Sequence, residues 1–148
     1  MPAEEGSPAP DFTLTTDSGE AISLSSLNAR QPGTGMAAYC SAKAGLVMLT
    51  QVAALELGHR GVRVNAVSPG LVVTPLTAPA MDIPGVRDAY LENTPLARSG
   101  EPAEIAALLK FLLSDDAAWI TGENIDINGG AHLQRYPDLF KHVMAAFG

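Results

Sequence analysis

The chain has 148 residues, room for one ordinary domain. Its 9 basic and 16 acidic side chains leave a net charge of −7, which repels phosphate backbones and anionic lipid and argues against nucleic acid or a membrane surface as partner. Only 17% of residues are charged while 47% are hydrophobic, which fits either a surface covered by another subunit or a small Ala-rich and Gly-rich enzyme domain.

A single cysteine, Cys40, excludes an internal disulfide and any multi-cysteine metal site. His59, His132 and His142 show no ligand spacing, so no metal is expected. The opening "MPAEEGSPAPDF" lacks a basic segment followed by an apolar one, and no run approaches the ~18 apolar residues of a membrane span. The expected setting is cytoplasmic and reducing.

Residues 1–10 read as a leader rich in Pro, Glu and Ala. In "DFTLTTDSGEAISL", alternating Phe12 and Leu14, then Asp17-Ser18-Gly19, then Ile22 and Leu24 predict a β-hairpin. The segment "MAAYCSAKAGLVMLTQVAALELGHRG" repeats apolar residues at helical spacing and stops at Gly58 and Gly61, predicting a helix over 37–58. "VRVNAV" (62–67) predicts a strand broken by Pro69-Gly70. Residues 71–100 form a Pro-dotted connection with a short helix near 85–92. A second long helix begins at Pro102, a favourable first helical position, and runs to about residue 113. "ENIDING" (123–129) predicts another strand, and the tail after Gly130 a terminal helix.

Strand, helix, strand, helix, strand implies right-handed crossovers and a parallel sheet. The expected fold class is therefore α/β: a partial Rossmann-like parallel sheet of about three strands with flanking helices, preceded by an N-terminal β-hairpin. Residues 1–25 would be leader and hairpin, and 26–148 the catalytic unit. Such sheets bind ligands beyond the carboxyl ends of their strands, where Ser26 and "SPG" fall.

Ser26 precedes Tyr39 by 13 positions, and Lys43 follows Tyr39 by 4, one helical turn on the same face. A phenol is normally protonated at neutral pH, but an ammonium a few ångströms away favours phenolate and makes such a pair a usable acid and base. A serine hydroxyl can orient a carbonyl and steady charge on its oxygen. Together these groups suit proton exchange with an alcohol oxygen while a hydride moves at carbon.

This trio, followed by "NAVSPGLVVTP" and "SDDAAWITGENIDINGG", resembles the short-chain dehydrogenase/reductase family over about residues 23–130. The resemblance implies NAD(P)-dependent interconversion of an alcohol and a carbonyl in a small-molecule substrate. Tyr39 matches the catalytic acid/base, Lys43 the residue that tunes it and holds the nicotinamide ribose, and Ser26 the residue that orients the substrate oxygen. Pro69, Gly70, Val72 and Thr74 match the segment against the nicotinamide, with Tyr39 and Lys43 completing the cofactor-binding set. Residues 75–95 match the loop covering the substrate, where Leu76, Met81 and Ile83 hint at an uncharged pocket.

The family's Gly-rich turn, N-N-A-G segment and earlier-helix asparagine are not found in these residues. "GTGMAA" (33–38) spells G-x-G-x-x-A, but eight residues separate it from the preceding strand, and no acidic residue ends the next strand, so it does not serve. Only the nicotinamide half of NAD or NADP is then expected to be held, with activity impaired. The strand leading to Ser26 would lie at an open sheet edge, which invites association. The competing reading is a non-catalytic module that associates with itself or with a full-length relative through helix 37–58 and the strand near 123–127.

Residues 5–27, "EGSPAPDFTLTTDSGEAISLSSL", resemble the opening of peroxiredoxins, suggesting a fused gene. No peroxidatic cysteine in its Pro/Thr setting follows, so peroxidase chemistry is not expected; Cys40 reads as a buried thiol.

Overall fold

A computed structural model of the protein describes residues 13–15 and 20–148, the first three by backbone alone. The strands are β1 (Thr13–Thr15), β2 (Ala21–Leu24), β3 (Val64–Pro69) and β4 (Asn124–Ile127); the helices are α1 (Ala37–Leu57), α2 (Ala78–Met81), α3 (Val86–Glu92), α4 (Pro102–Leu112) and α5 (Leu139–Phe147). One sheet has the order β1-β2-β3-β4, with β2, β3 and β4 mutually parallel. The α/β class and the three-stranded parallel sheet with flanking helices are therefore as the sequence predicted.

Strand β1 pairs antiparallel with β2, Thr13 opposite Ser23 and Thr15 opposite Ala21. This corrects the expectation of an open edge beside β2. The turn of the expected hairpin, at Asp17-Ser18-Gly19, and the leader lie outside the described residues. Strand β3 starts two residues later than predicted and continues through Pro69, because Pro69 needs only to stand opposite Ile127 while the Gly70 N–H donates to the Ile127 carbonyl at 3.1 Å. The one-turn helix α2 was not foreseen; its four residues are too few for a periodic pattern.

The two sheet faces differ in chemistry. On one, Ile22, Val67, Leu112 and Ala117 form the buried core, joined by Ile125, Ile127 and the apolar side of α4. Alternate strand residues point the other way, so Ser23 and Ser25, with Ala66 and Ser68 in register beside them, present small side chains to α1. The helix α1 approaches this face closely, the Ser25 hydroxyl donating to the Lys43 carbonyl at 3.5 Å. Buried Asn65 is satisfied on both sides, Nδ2 donating to the Ile120 carbonyl at 2.9 Å and Oδ1 accepting from the Glu123 N–H at 3.1 Å.

The outer side of α1 is apolar too: Met48 is 59%, Leu49 62% and Leu55 83% exposed. By length and composition alone, Ala37–Arg60 would pass for a membrane span, with mean hydropathy 1.3 over its best window. That amends the reading that no run comes near one. The polar atoms of Lys43 and Ser25 tie this helix to the sheet, which is the arrangement of an α/β domain.

Candidate active site

The carboxyl ends of β2 and β3 open into a cavity of about 530 Å³. Ser26 reaches it from the residue pair just past β2, Tyr39 from the first turn of α1, and Pro69, Gly70, Val72 and Thr74 from the end of β3 and the loop beyond. Residues separated by up to 48 positions thus face one space, because parallel strands deliver their following loops to the same sheet edge.

Ser26 caps a single 3-10 turn at Leu27–Ala29, with an extended backbone (φ −156°, ψ 154°). Its Oγ accepts from the Asn28 N–H at 3.2 Å, while its own proton has, among the described residues, the long 3.5 Å approach to Asn28 Oδ1. The cap therefore fixes the oxygen and leaves the hydroxyl proton for another acceptor. Tyr39 is 38% exposed at the cavity wall. Lys43, one turn further along α1, is buried; its Nζ lies 5.7 Å from the Tyr39 ring centroid and donates to the Leu24 carbonyl at 3.2 Å. It does not line the cavity itself.

Thr74 is held in a local turn: its hydroxyl lies 3.2 Å from that of Thr77, which donates in turn to the Val72 carbonyl at 2.8 Å. At Gly70 any Cβ would stand 2.8 Å from Asn128 Cβ and 2.9 Å from Asn128 Cα, so only glycine lets this loop pass β4. The wall around these residues is neutral and largely apolar, which fits a nicotinamide ring and ribose. Among the described residues the charged side chain on the lining is Arg135, exposed at the rim.

Leu76 lines the cavity as the sequence suggested; Met81 and Ile83 do not. Asn28 and Tyr136 are among the contributors that sequence reasoning missed, while Tyr90 falls in the 75–95 stretch expected to cover the substrate but was not singled out. Asn28 sits two positions beyond Ser26, a signal that was available; Tyr90 and Tyr136 are 46 residues apart and no local pattern joins them. The Tyr90 and Tyr136 hydroxyls are 2.6 Å apart, with the rings edge to face at 5.9 Å between centroids. Cys40 is a half-buried free thiol on α1, away from the cavity lining.

Residues 9–132 match the family model described as Enoyl-(Acyl carrier protein) reductase. The chain belongs to the short-chain dehydrogenase/reductase family. It is similar to the 3-oxoacyl-(acyl-carrier-protein) reductase FabG of Staphylococcus epidermidis, 43% identical over 120 residues that make up 81% of this chain and 48% of that protein. Among solved structures, a short-chain type dehydrogenase/reductase from Mycobacterium ulcerans superposes with TM-score 0.83 at 38% identity, covering 88% of this chain and 47% of that one. A 4-hydroxyisoleucine dehydrogenase complexed with NADH gives TM-score 0.77 at 31% identity, over 80% and 49% of the two chains. The chain spans about half the length of the curated relatives it matches. The resemblance of residues 5–27 to peroxiredoxins finds no support, since the family match begins at residue 9 and runs through that segment.

Proposed function

We propose that this chain carries the catalytic half of an NAD(P)-dependent oxidoreductase that interconverts an alcohol and a carbonyl. What supports the reading is the meeting of Ser26 and Tyr39 in one cavity with the Pro69–Thr74 loop, inside a family whose solved members include one complexed with NADH. In the reducing direction the Tyr39 O–H passes its proton to the carbonyl oxygen as negative charge develops there. The Ser26 O–H, its oxygen already fixed by the Asn28 N–H, donates a hydrogen bond to that same oxygen. Lys43 places a cation beside the Tyr39 ring, where it steadies the phenolate left behind. The nicotinamide cofactor, when bound, supplies the hydride.

Tyr39, Pro69, Gly70, Val72 and Thr74 would hold the nicotinamide end, with Lys43 turning from the Leu24 carbonyl toward the ribose. We take the adenine end to lie beyond what these residues grip, so binding by this chain should be weak. The outward apolar side of α1 supports association with a second copy or a longer relative, which light scattering on the purified protein tests.

The deciding experiment titrates NADH and NADPH by fluorescence against the purified chain. Saturable binding that Lys43→Ala abolishes is the expected result. No binding at millimolar cofactor would defeat the reading and leave the association module.

A further inference from the structure

The family match ends at residue 132, yet Arg135, Tyr136 and Pro137 line the cavity. One wall of the site is therefore supplied by a segment that the family model does not cover. Pro137 is buried and Tyr136 half-buried, so this wall is packed against the rest of the domain.

The segment is held from two sides of the cavity. On the side of α1, a Cβ at Gly33 would stand 3.0 Å from Tyr136 Cδ1 and Cε1, so the ring rests on backbone that carries no side chain. Beside it, Gln31 Nε2 donates to the Gln134 carbonyl. On the side of α3, the Tyr90 and Tyr136 hydroxyls meet at 2.6 Å, whichever of them donates, with the rings edge to face. His142 of α5 lies over Gly85, the residue before α3, where a Cβ would come within 2.5 Å of its Nδ1. Residues 134–148 thus cross from the loop before α1 to α3.

These holds are few. Helix α5 has nine residues and no side-chain hydrogen bond at its N-cap, Asp138, among the described residues, and Phe140, Met144 and Phe147 along it are exposed. A helix of that length is marginal by itself and keeps its shape only while docked. Segments with so little buried surface lie at the low end of local stability. Undocking would carry Tyr136 out of the cavity wall. An occupant touching that wall would oppose it, because a ligand shifts the equilibrium toward the state it touches.

We propose that residues 134–148 form a strap that closes over an occupant of the cavity, with Tyr136 as the wall it presents and the Tyr90–Tyr136 hydroxyl pair as its clasp. The ring of Tyr136 and the neighbouring Pro137 suit an apolar carbonyl compound, whose binding is then felt at α5. The oxidoreductase reading enters only in the choice of a ketone as occupant.

Hydrogen exchange of the whole chain, followed by mass spectrometry with and without acetophenone, tests the strap. Amides of α5 should exchange faster than those of β3, and acetophenone at about ten times its dissociation constant should slow α5 about ten-fold. Tyr90→Phe and Tyr136→Phe should each speed α5 exchange about 2–10-fold, the worth of one neutral hydrogen bond, and the double variant no more than either alone. Amides of α5 that exchange no faster than β3, or that acetophenone leaves unmoved, overturn the proposal. Variants whose effects add, or vanish, overturn it too. Slowing by acetophenone without any binding of NADH or NADPH leaves the strap standing and defeats the oxidoreductase reading; cofactor binding without slowing does the reverse.

Discussion

Lys43 Nζ stands 5.7 Å from the centre of the Tyr39 ring, one turn along α1, and is steered there by the Leu24 carbonyl at 3.2 Å. The last residue of β2 thus orients the cation beside Tyr39, and Ser26 follows Leu24 by only two positions. The sheet end and the helix are coupled at Lys43, through its ammonium to Leu24 and through its carbonyl to the Ser25 hydroxyl.

Replacing the two groups proposed to touch substrate should divide their roles. Tyr39→Phe removes the proton that is exchanged and should lower kcat by about a hundred- to ten-thousand-fold. Ser26→Ala removes one donor to the developing charge and should cost about a hundred-fold or more. Steady-state NADPH oxidation with a carbonyl compound measures both. Equal, small losses in the two variants would contradict the assigned roles.

Gly70→Ala should destabilise the fold by about 1–3 kcal/mol, since the new methyl meets backbone and Cβ of Asn128 rather than a yielding side-chain tip. Urea unfolding reads the loss, and NADH titration should show weaker binding at once, because the same loop forms the cavity wall. An unchanged midpoint would show that β4 gives way easily.

Leu112→Ala should cost about 2–5 kcal/mol, as Leu112 is fully enclosed between α4 and the sheet. Leu55→Ala, at a side chain 83% exposed, is expected to stay within about 0.5 kcal/mol. Should Leu55 prove as costly as Leu112 in concentrated protein but not in dilute, its face of α1 is covered by another copy.

Acid should act at the start of α4. The Arg98 guanidinium, and then the Glu101 N–H at 2.8 Å, hold the Glu104 carboxylate down to about 2 from its usual 4.5. A depressed carboxylate contributes stability that is present above pH 4.5 and is lost as pH falls through about 2. The pair is well exposed, so the contribution is modest and screened by salt. NMR titration should place the Glu104 midpoint near 2, and Arg98→Gln should raise it part-way, the Glu101 N–H remaining. A midpoint unmoved by that variant would show that the ion pair is not populated in solution.

The sequence by itself determined what is local. Helical period put Tyr39 and Lys43 on one face of α1; Pro102 and Gly58 marked where α4 begins and where α1 ends; the order of strands and helices dictated parallel pairing. The pairing of β1 with β2 was legible as alternation on either side of a Gly-containing stretch, whereas the place of β2 beside β3 depended on the whole sheet. The sequence could not join Tyr90 and Tyr136, whose hydroxyls meet only after two separate segments pack around one cavity. Periodicity is written in neighbouring residues, whereas a cavity wall is assembled from loops that the sheet brings to a common edge; that is why the spacing of Ser26, Tyr39 and Lys43 was legible early and the phenol pair was decided by tertiary structure alone.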